Sequence, residues 1–208
     1  MYAFTISCSI ALAFIIVLLY LLRTHLTAFL KDKSILAIDL RPYSLSSTLI
    51  FYWTLLIFLS VCYIGIVSDN LPTIDSGVLV LMGMVVGTAT TGKVIDSTQS
   101  ADPNIARSQD ISPSEGFLTD ILSDSNGISV ARLQTLVFNI IYGFAFLAIV
   151  ITQHTLYNFP QQTLTLLGIS SGAYALMKIP ENAPPTVIPK TPPPACPQAP
   201  DAKPNAAD

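Results

Sequence analysis

The feature that most constrains this chain is a series of long apolar stretches with almost no charged side chains. Five such stretches follow one another, at residues 3–22, 48–67, 74–91, 133–152 and 160–177. A helix rises 1.5 Å per residue, so about twenty residues cross a hydrocarbon core of about 30 Å. The only charge in these ranges is Asp75, at the start of the third. The sequence therefore predicts an all-α integral membrane protein with five transmembrane helices.

Composition favours the same class of protein. Apolar residues make up 51% of the chain and charged residues 11%, about half the charged share of a soluble domain. The net charge of −3 gives no sign of a nucleic-acid partner, and the three cysteines lie far apart without metal-binding spacing. We expect the lipid bilayer as the main partner, and neither a cofactor nor a metal.

The first stretch has two interpretations. A cleaved signal peptide would begin with basic residues and end in a small-x-small cleavage site. Residues 3–22 have neither feature and are followed directly by Arg23 and His25. We therefore expect residues 1–22 to form a retained first transmembrane helix.

The basic residues predict an orientation. Five spans place the loops alternately on two sides, and all ten lysines and arginines then lie on one side: Arg23, Lys31, Lys33, Arg41, Lys93, Arg107, Arg132, Lys178, Lys190 and Lys203. Because cytoplasmic loops carry the excess of basic residues, this side is predicted to be cytoplasmic. The N-terminus is then outside and the C-terminus in the cytoplasm.

Two segments of the chain resemble each other at an offset of 85 residues. Residues 44–96 and 129–181 align without a gap, and the best matched parts read LVLMGMVVGTATTGKVID and LTLLGISSGAYALMKIPE. Both copies run from the predicted cytoplasmic side outward and back. The sequence thus predicts one N-terminal helix followed by two repeated helical hairpins of the same orientation.

The remaining segments read as connections. Residues 23–43 form a basic cytoplasmic loop, and residues 97–128 a second one with a short interfacial helix at FLTDILSD. The tail, residues 182–208, is rich in proline and has too few apolar residues to offset its ordering entropy. We expect it to be disordered.

The repeated segments carry the candidate site residues. Glycines four apart share one helix face and let another helix approach closely, so Gly83, Gly87, Gly168 and Gly172 are predicted to serve helix packing. A path or ligand lined by these glycines is the alternative. Lys93 and Lys178 are predicted interfacial anchors, each at the cytoplasmic end of its helix.

Few residues point to chemistry. Asn139 is the most polar residue within a span, and we expect it to form a hydrogen bond between helices. Asp120, Asp124 and Asn126 faintly resemble a calcium loop but lack its spacing and its closing glutamate. No catalytic residues are predicted, and we expect the protein not to be an enzyme.

The runs GFLTDILSDSNGISVARLQ and TLTLLGISSGAYALMKIPE resemble an uncharacterised family of small bacterial inner-membrane proteins. The resemblance covers residues 41–181. The chain departs from the family pattern at Ser47 and Leu49, where the family would have a basic residue and a glutamine. The resemblance implies a bacterial inner membrane and no particular activity.

The sequence favours a non-catalytic scaffold, anchor or oligomerising module. Its partners would be further copies of the chain, or a membrane or cytoplasmic protein. The alternative is a passive channel or pore-forming effector, with hydroxyl side chains such as Thr88, Thr91, Ser170 and Ser171 facing a lumen between subunits.

Overall fold

The computed structural model describes residues 3–101, 105, 107–124 and 127–181. The predicted disorder of residues 182–208 lies outside this part of the chain. The described part is mostly helical. Its helices are α1 (Ala3–Leu30), α2 (Leu45–Ser68), α3 (Ser76–Ser100), α4 (Ser108–Ile111), α5 (Phe117–Leu122), α6 (Val130–Gln153) and α7 (Gln161–Glu181). A 3₁₀ helix at Ile38–Leu40 and two short antiparallel strands, β1 (Ser123–Asp124) and β2 (Gly127–Ile128), complete it.

Four of these helices are long and apolar enough to cross a membrane. The qualifying segments are Phe4–Arg23 in α1, Leu45–Ser68, Ser76–Ser100 and Val130–Gln153. Their outward faces carry many exposed large apolar side chains, which suits a surface in contact with lipid. The chain is therefore built as a helical membrane protein.

The long helices form a bundle with α1 on its outside. α2 packs against α1, α3 and α6, and α7 packs against α3 and α6. The interior is filled by aromatic side chains: Trp53 meets Phe146 and Phe159 edge to face, with ring centroids 6.2 and 5.9 Å apart. The rings of Phe146 and Phe159 stack on each other at 5.8 Å. Because Phe159 belongs to the loop before α7, this loop closes the bundle at the end that is predicted to be outside.

α1 and α3 extend furthest beyond their predicted ends. α1 continues through Arg23 to Leu30, and α3 continues through Lys93 to Ser100. Residues 23–30 and 93–100 contain neither glycine nor proline. The local sequence therefore has no signal that would end either helix earlier. The connecting loops are correspondingly shorter than the sequence predicts.

A short helix does form at FLTDILSD, as α5. Its Ile121 is buried against the bundle, while Phe117 and Leu118 are exposed. The ring of Phe117 meets Tyr43 edge to face at 5.2 Å, which attaches α5 to the start of α2. Its location at the membrane surface stays a prediction.

Candidate functional site

A polar cleft of about 510 Å³ lies at the end of the bundle that the charge pattern predicts to be cytoplasmic. It is bordered by the loop before α2, the segment from α4 to β2, and the ends of α6 and α7. The charged side chains that line it are Asp32, Glu115, Asp120, Asp124, Arg132 and Lys178. Most of its wall comes from the loops, short helices and short strands between the long helices.

Lys178 forms the base of this cleft. Its side chain is only 4% exposed, and its Nζ donates a hydrogen bond to Asp96 Oδ2 at 2.8 Å. The carboxylate of Asp32 lies further away, at 3.9 Å. Burial by itself would lower the pKa of Lys178, but the negative charges of Asp32 and Asp96 outweigh burial and hold the pKa above its usual range. The ammonium therefore stays charged although it is buried.

This setting differs from the predicted anchor role. A snorkelling lysine would reach out to lipid headgroups, whereas the ammonium of Lys178 points to carboxylates of α3 and the first loop. Lys93, its counterpart at the 85-residue offset, is exposed, and its anchor role stays a prediction. The two lysines thus occupy different environments despite their matching sequence positions.

Arg132 is a second buried cation beside the cleft. It is 9% exposed, and its guanidinium lies 5.5 Å from the ring centroid of Tyr174. Tyr174 is one helical turn before Lys178, so Arg132 of α6 lies against the part of α7 that carries Lys178. Stacking of this kind keeps an arginine in a fixed position without exposing it.

Side-chain amides attach the neighbouring segments to the same cluster. Gln109 Nε2 donates to Asp96 Oδ1 at 2.9 Å, which ties α4 to α3. Gln99 Nε2 donates to the carbonyl oxygen of Ile179 at 3.0 Å and ties α3 to α7. Asp96 is therefore shared between Lys178 and Gln109, one partner on each carboxylate oxygen.

The first loop is held by its own polar groups and by Asp110. Lys31 Nζ donates to the carbonyl oxygens of Ile38 and Asp39 at 3.1 and 2.8 Å. Asp110 accepts a hydrogen bond from the backbone N–H of Ile35 and pairs with Arg107 at 2.6 Å. Burial would raise the pKa of Asp110, but these interactions outweigh it and lower the pKa. The first loop and α4 are thereby joined.

Asp120 has a structural role. Its Oδ2 accepts hydrogen bonds from Tyr43 N and Ser114 Oγ at 3.1 and 2.6 Å, and its Oδ1 accepts one from Glu115 N at 2.9 Å. Both carboxylate oxygens are engaged in holding the loops together. Within the described ranges, no three His, Cys, Asp or Glu side chains group in a way that would hold a metal ion.

The predicted packing glycines have little around them within the chain. A Cβ atom added at Gly83, Gly87 or Gly172 would have no heavy atom within 4 Å, apart from its chain neighbours and the nearby backbone of its own helix. At Gly168 it would lie 3.0 Å from Met84 Sδ, which is the flexible end of a side chain. Close helix contact at Gly83, Gly87 and Gly172 would need a second chain. The packing role of all four glycines stays a prediction.

Other glycines, which the sequence reasoning missed, do make close contacts. A Cβ at Gly77 would lie 2.8 Å from Asn158 Oδ1 and 2.9 Å from Phe159 N. At Gly143 it would overlap the phenol of Tyr52, and at Gly65 the sulfur of Cys8. These contacts join separate helices or a helix and a loop, and no spacing pattern in the sequence marks them.

The prediction for Asn139 is confirmed. Its Oδ1 accepts a hydrogen bond from Trp53 Nε1 at 2.7 Å, which joins α2 and α6 inside the bundle. A second interhelical bond, between the hydroxyls of Thr135 and Ser170 at 3.0 Å, joins α6 and α7. Polar groups of the core are therefore paired with one another.

The threonines of α3 bond to their own helix. Thr88, Thr90 and Thr91 donate to the carbonyl oxygens four residues earlier, at 2.8 to 2.9 Å. Such bonds satisfy a hydroxyl on a lipid-facing surface without any water. The hydrogen bonds of these hydroxyl groups are therefore formed within α3 itself.

Asp32 and Asp96 are the site residues that sequence reasoning did not single out. Asp96 had a signal, since it closes the Lys-x-x-acid pattern of the first copy. Its partner is the lysine of the other copy, a pairing that only the packing of α3 on α7 reveals. Asp32 had no signal beyond being an acid within a basic loop.

No protein-family model, curated protein or solved structure matches this chain. The resemblance to a family of small bacterial membrane proteins therefore rests on its motifs alone.

Proposed function

We propose that this chain is a non-catalytic, multi-pass module of a bacterial inner membrane that anchors or organises other proteins, including further copies of itself. The observation that carries the proposal is the cluster of the buried Lys178 with the partly buried Asp96 and Asp32. It fixes the first loop to the ends of α3 and α7, so the bundle presents an ordered polar surface on one side. An ordered polar surface on a membrane-embedded bundle is suited to binding another protein.

In this proposal α7 is the fifth span. Its 21 residues measure about 31 Å as a helix. It runs alongside α3, with contacts at Gly168 and Met84 in the middle and at Lys178 and Asp96 near the end. Ser170 and Ser171 lower its apolar character, but both are buried. A helix that lies beside a membrane-spanning helix over its length is expected to span as well.

The helix boundaries support a duplicated hairpin. α2 and α6 each have 24 residues, and their first and last residues correspond at the 85-residue offset. α3 and α7 also begin at corresponding residues. Both α2 and α6 are followed by a non-glycine residue in the left-handed region, Asp69 with φ 47° and His154 with φ 53°. Such a shared, uncommon backbone conformation is expected of copies of one unit.

The open glycines support self-association. Gly83 and Gly87 lie on an exposed face of α3, where their missing side chains leave room for another helix. In lipid, small residues of this kind allow backbones to approach and gain van der Waals contact. A second copy of this chain is the partner that we propose for this face.

The alternative of a pore has weaker support. The interior of the bundle is occupied by Trp53, Phe146 and Phe159, which leaves a lumen only between subunits. The hydroxyls of Thr88 and Thr91, which would line it, are bonded to their own helix.

The test is the assembly state of the full-length protein in mild detergent. We expect a dimer or larger assembly, and we expect Gly83→Leu with Gly87→Leu to shift it toward monomer. Ile141→Leu, at an exposed position on α6, is the matched control and should leave assembly unchanged.

Affinity capture of the same protein from solubilised membranes tests for other partners. A strict monomer that captures no protein would contradict the scaffold proposal. Ion conductance of the purified protein in liposomes would favour the pore instead.

A further inference from the structure

Two buried cysteines lie on neighbouring helices, one on α1 and one on α2. Cys8 lies near the start of α1 and Cys62 near the end of α2, with 6% and 3% of their surfaces exposed. Both are free thiols.

Gly65 brings the two helices together at this point. The sulfur of Cys8 occupies the space that a side chain at Gly65 would fill. Cys62 lies three residues before Gly65, on the same face of α2, and Cβ positions three apart on a helix are about 5–6 Å from each other. A rotation of the Cys8 side chain therefore carries its sulfur from Gly65 toward Cys62.

Hydrogen bonds fix the relative position of the helices one turn away. Thr5 donates to Asp69 Oδ1 through both its backbone N–H and its hydroxyl, at 3.0 and 3.1 Å. The outer end of α1 is thus already held on the end of α2. A disulfide requires Cα atoms about 4.4–6.8 Å apart, which the glycine contact and these hydrogen bonds favour.

We propose that Cys8 and Cys62 form an intramolecular disulfide that locks the outer end of α1 onto α2. The oxidant is a small-molecule or protein disulfide. One cysteine thiolate attacks it and releases one thiol, and the second cysteine attacks the resulting mixed disulfide and releases the other. In total the two cysteines lose two protons and two electrons, and the oxidant's disulfide is reduced to two thiols.

The depth of the pair indicates which side supplies the oxidant. Cys8 is about 6 Å along the span from Phe4, and Cys62 about 9 Å from Ser68. Both lie near the same end of the bundle. In the orientation proposed above this end faces outside, the oxidising side of a bacterial inner membrane. The reaction itself does not depend on that orientation.

The test uses the reduced full-length protein in detergent, with Cys196→Ser so that Cys8 and Cys62 are its only thiols. Oxidised glutathione is added, the protein is denatured, and free thiols are labelled with a maleimide. We expect both thiols to become unreactive in the monomer, with peptide mapping identifying the Cys8–Cys62 link. Reductant should restore both.

Three variants keep the result interpretable. Gly65→Leu is too large to be accommodated by rotation of the Cys8 side chain alone, so it pushes the helices apart and should slow cross-linking by roughly a hundredfold, because intramolecular reactions depend steeply on distance. Ala148→Leu, at an exposed position on α6, should leave the rate unchanged. Thr5→Cys with Asp69→Cys, in a chain without the native cysteines, is the positive control for the chemistry.

Two results would overturn the proposal. One is that both thiols still label after oxidation under conditions in which the positive control cross-links. The other is that the disulfides formed link separate chains only. Because the oxidant in detergent reaches both ends of the protein, neither result depends on membrane orientation or on the scaffold proposal.

Discussion

At the scale of single residues, the bond between Trp53 and Asn139 is the clearest test of the polar core. Asn139→Leu leaves the indole N–H of Trp53 buried without an acceptor. We expect a loss of about 1–3 kcal/mol in the free energy of unfolding. Trp53 is the only tryptophan, so its fluorescence reports the change directly.

The control for this prediction is the double variant Trp53→Phe with Asn139→Leu. It removes both partners and should recover part of the loss, as measured by circular dichroism because the tryptophan is gone. If Asn139→Leu were as stable as the natural protein, the bond would contribute nothing to the core.

The two lysines give a matched pair of substitutions. Lys178→Met leaves Asp96 in a largely buried position without its cation, and we expect it to lower the free energy of unfolding by about 3 kcal/mol. Lys93→Met, at the corresponding position of the first copy, is exposed and should change it by less than about 0.5 kcal/mol. Thermal unfolding in detergent distinguishes the two, and equal effects would contradict the cluster.

The pH dependence of this cluster follows from the sign of the shift. The pKa of Lys178 is raised in the folded protein, so its stabilising contribution is complete below the pKa of an unfolded lysine, about 10.4. It is lost only as pH rises further, toward the folded value. Between about pH 6 and about pH 9, the difference in the free energy of unfolding between the natural protein and Lys178→Met should therefore stay constant. Thermal unfolding of both proteins across this range measures it.

At the scale of helices, α3 offers the same substitution in two surroundings. Gly77→Ala places a methyl group against the backbone of Phe159 and should destabilise the protein by about 1–3 kcal/mol. Gly87→Ala, ten residues further along, meets open space and should cause no such loss. Thermal unfolding of monomeric protein measures both, and a loss at Gly87 but not at Gly77 would contradict this packing.

Helices were more predictable than their contacts. Uncharged stretches of about twenty residues indicate the long helices, and apolar residues at helical spacing indicate α5. The close contacts at Gly77 and Gly143 could not be predicted, since each depends on a residue far away in the sequence. The GxxxG spacing drew attention to Gly83 and Gly87 instead, because spacing describes one helix and not what packs against it.

The ion cluster of Lys178, Asp96 and Asp32 also depends on residues that are far apart in the sequence. The sequence predicts that Lys178 is an interfacial anchor, but its burial and its ion pair depend on how α3 and α7 lie together. A lysine at a helix end next to the membrane has two outcomes, headgroup contact or an internal ion pair. The local sequence is nearly the same for Lys93 and Lys178, so only tertiary structure distinguishes them.

At the scale of the whole molecule, the membrane topology depends on whether α7 crosses the bilayer. Four helices are apolar enough by composition, and a fifth crossing changes the side on which the chain ends. With five crossings all ten basic residues lie on one side, and with four, Lys178, Lys190 and Lys203 lie on the side of the outer loops. Topology therefore tests the span count, the orientation and the repeated hairpin together.

The most direct measurement is labelling of intact cells with a membrane-impermeant maleimide. The chain carries Cys8→Ser and Cys62→Ser, with either native Cys196 or Thr155→Cys as its only thiol. Five spans predict that Thr155→Cys, between α6 and α7, is labelled in intact cells, whereas Cys196 is labelled only after the membrane is permeabilised. Labelling of both positions in intact cells would show that α7 does not cross, and would contradict the account.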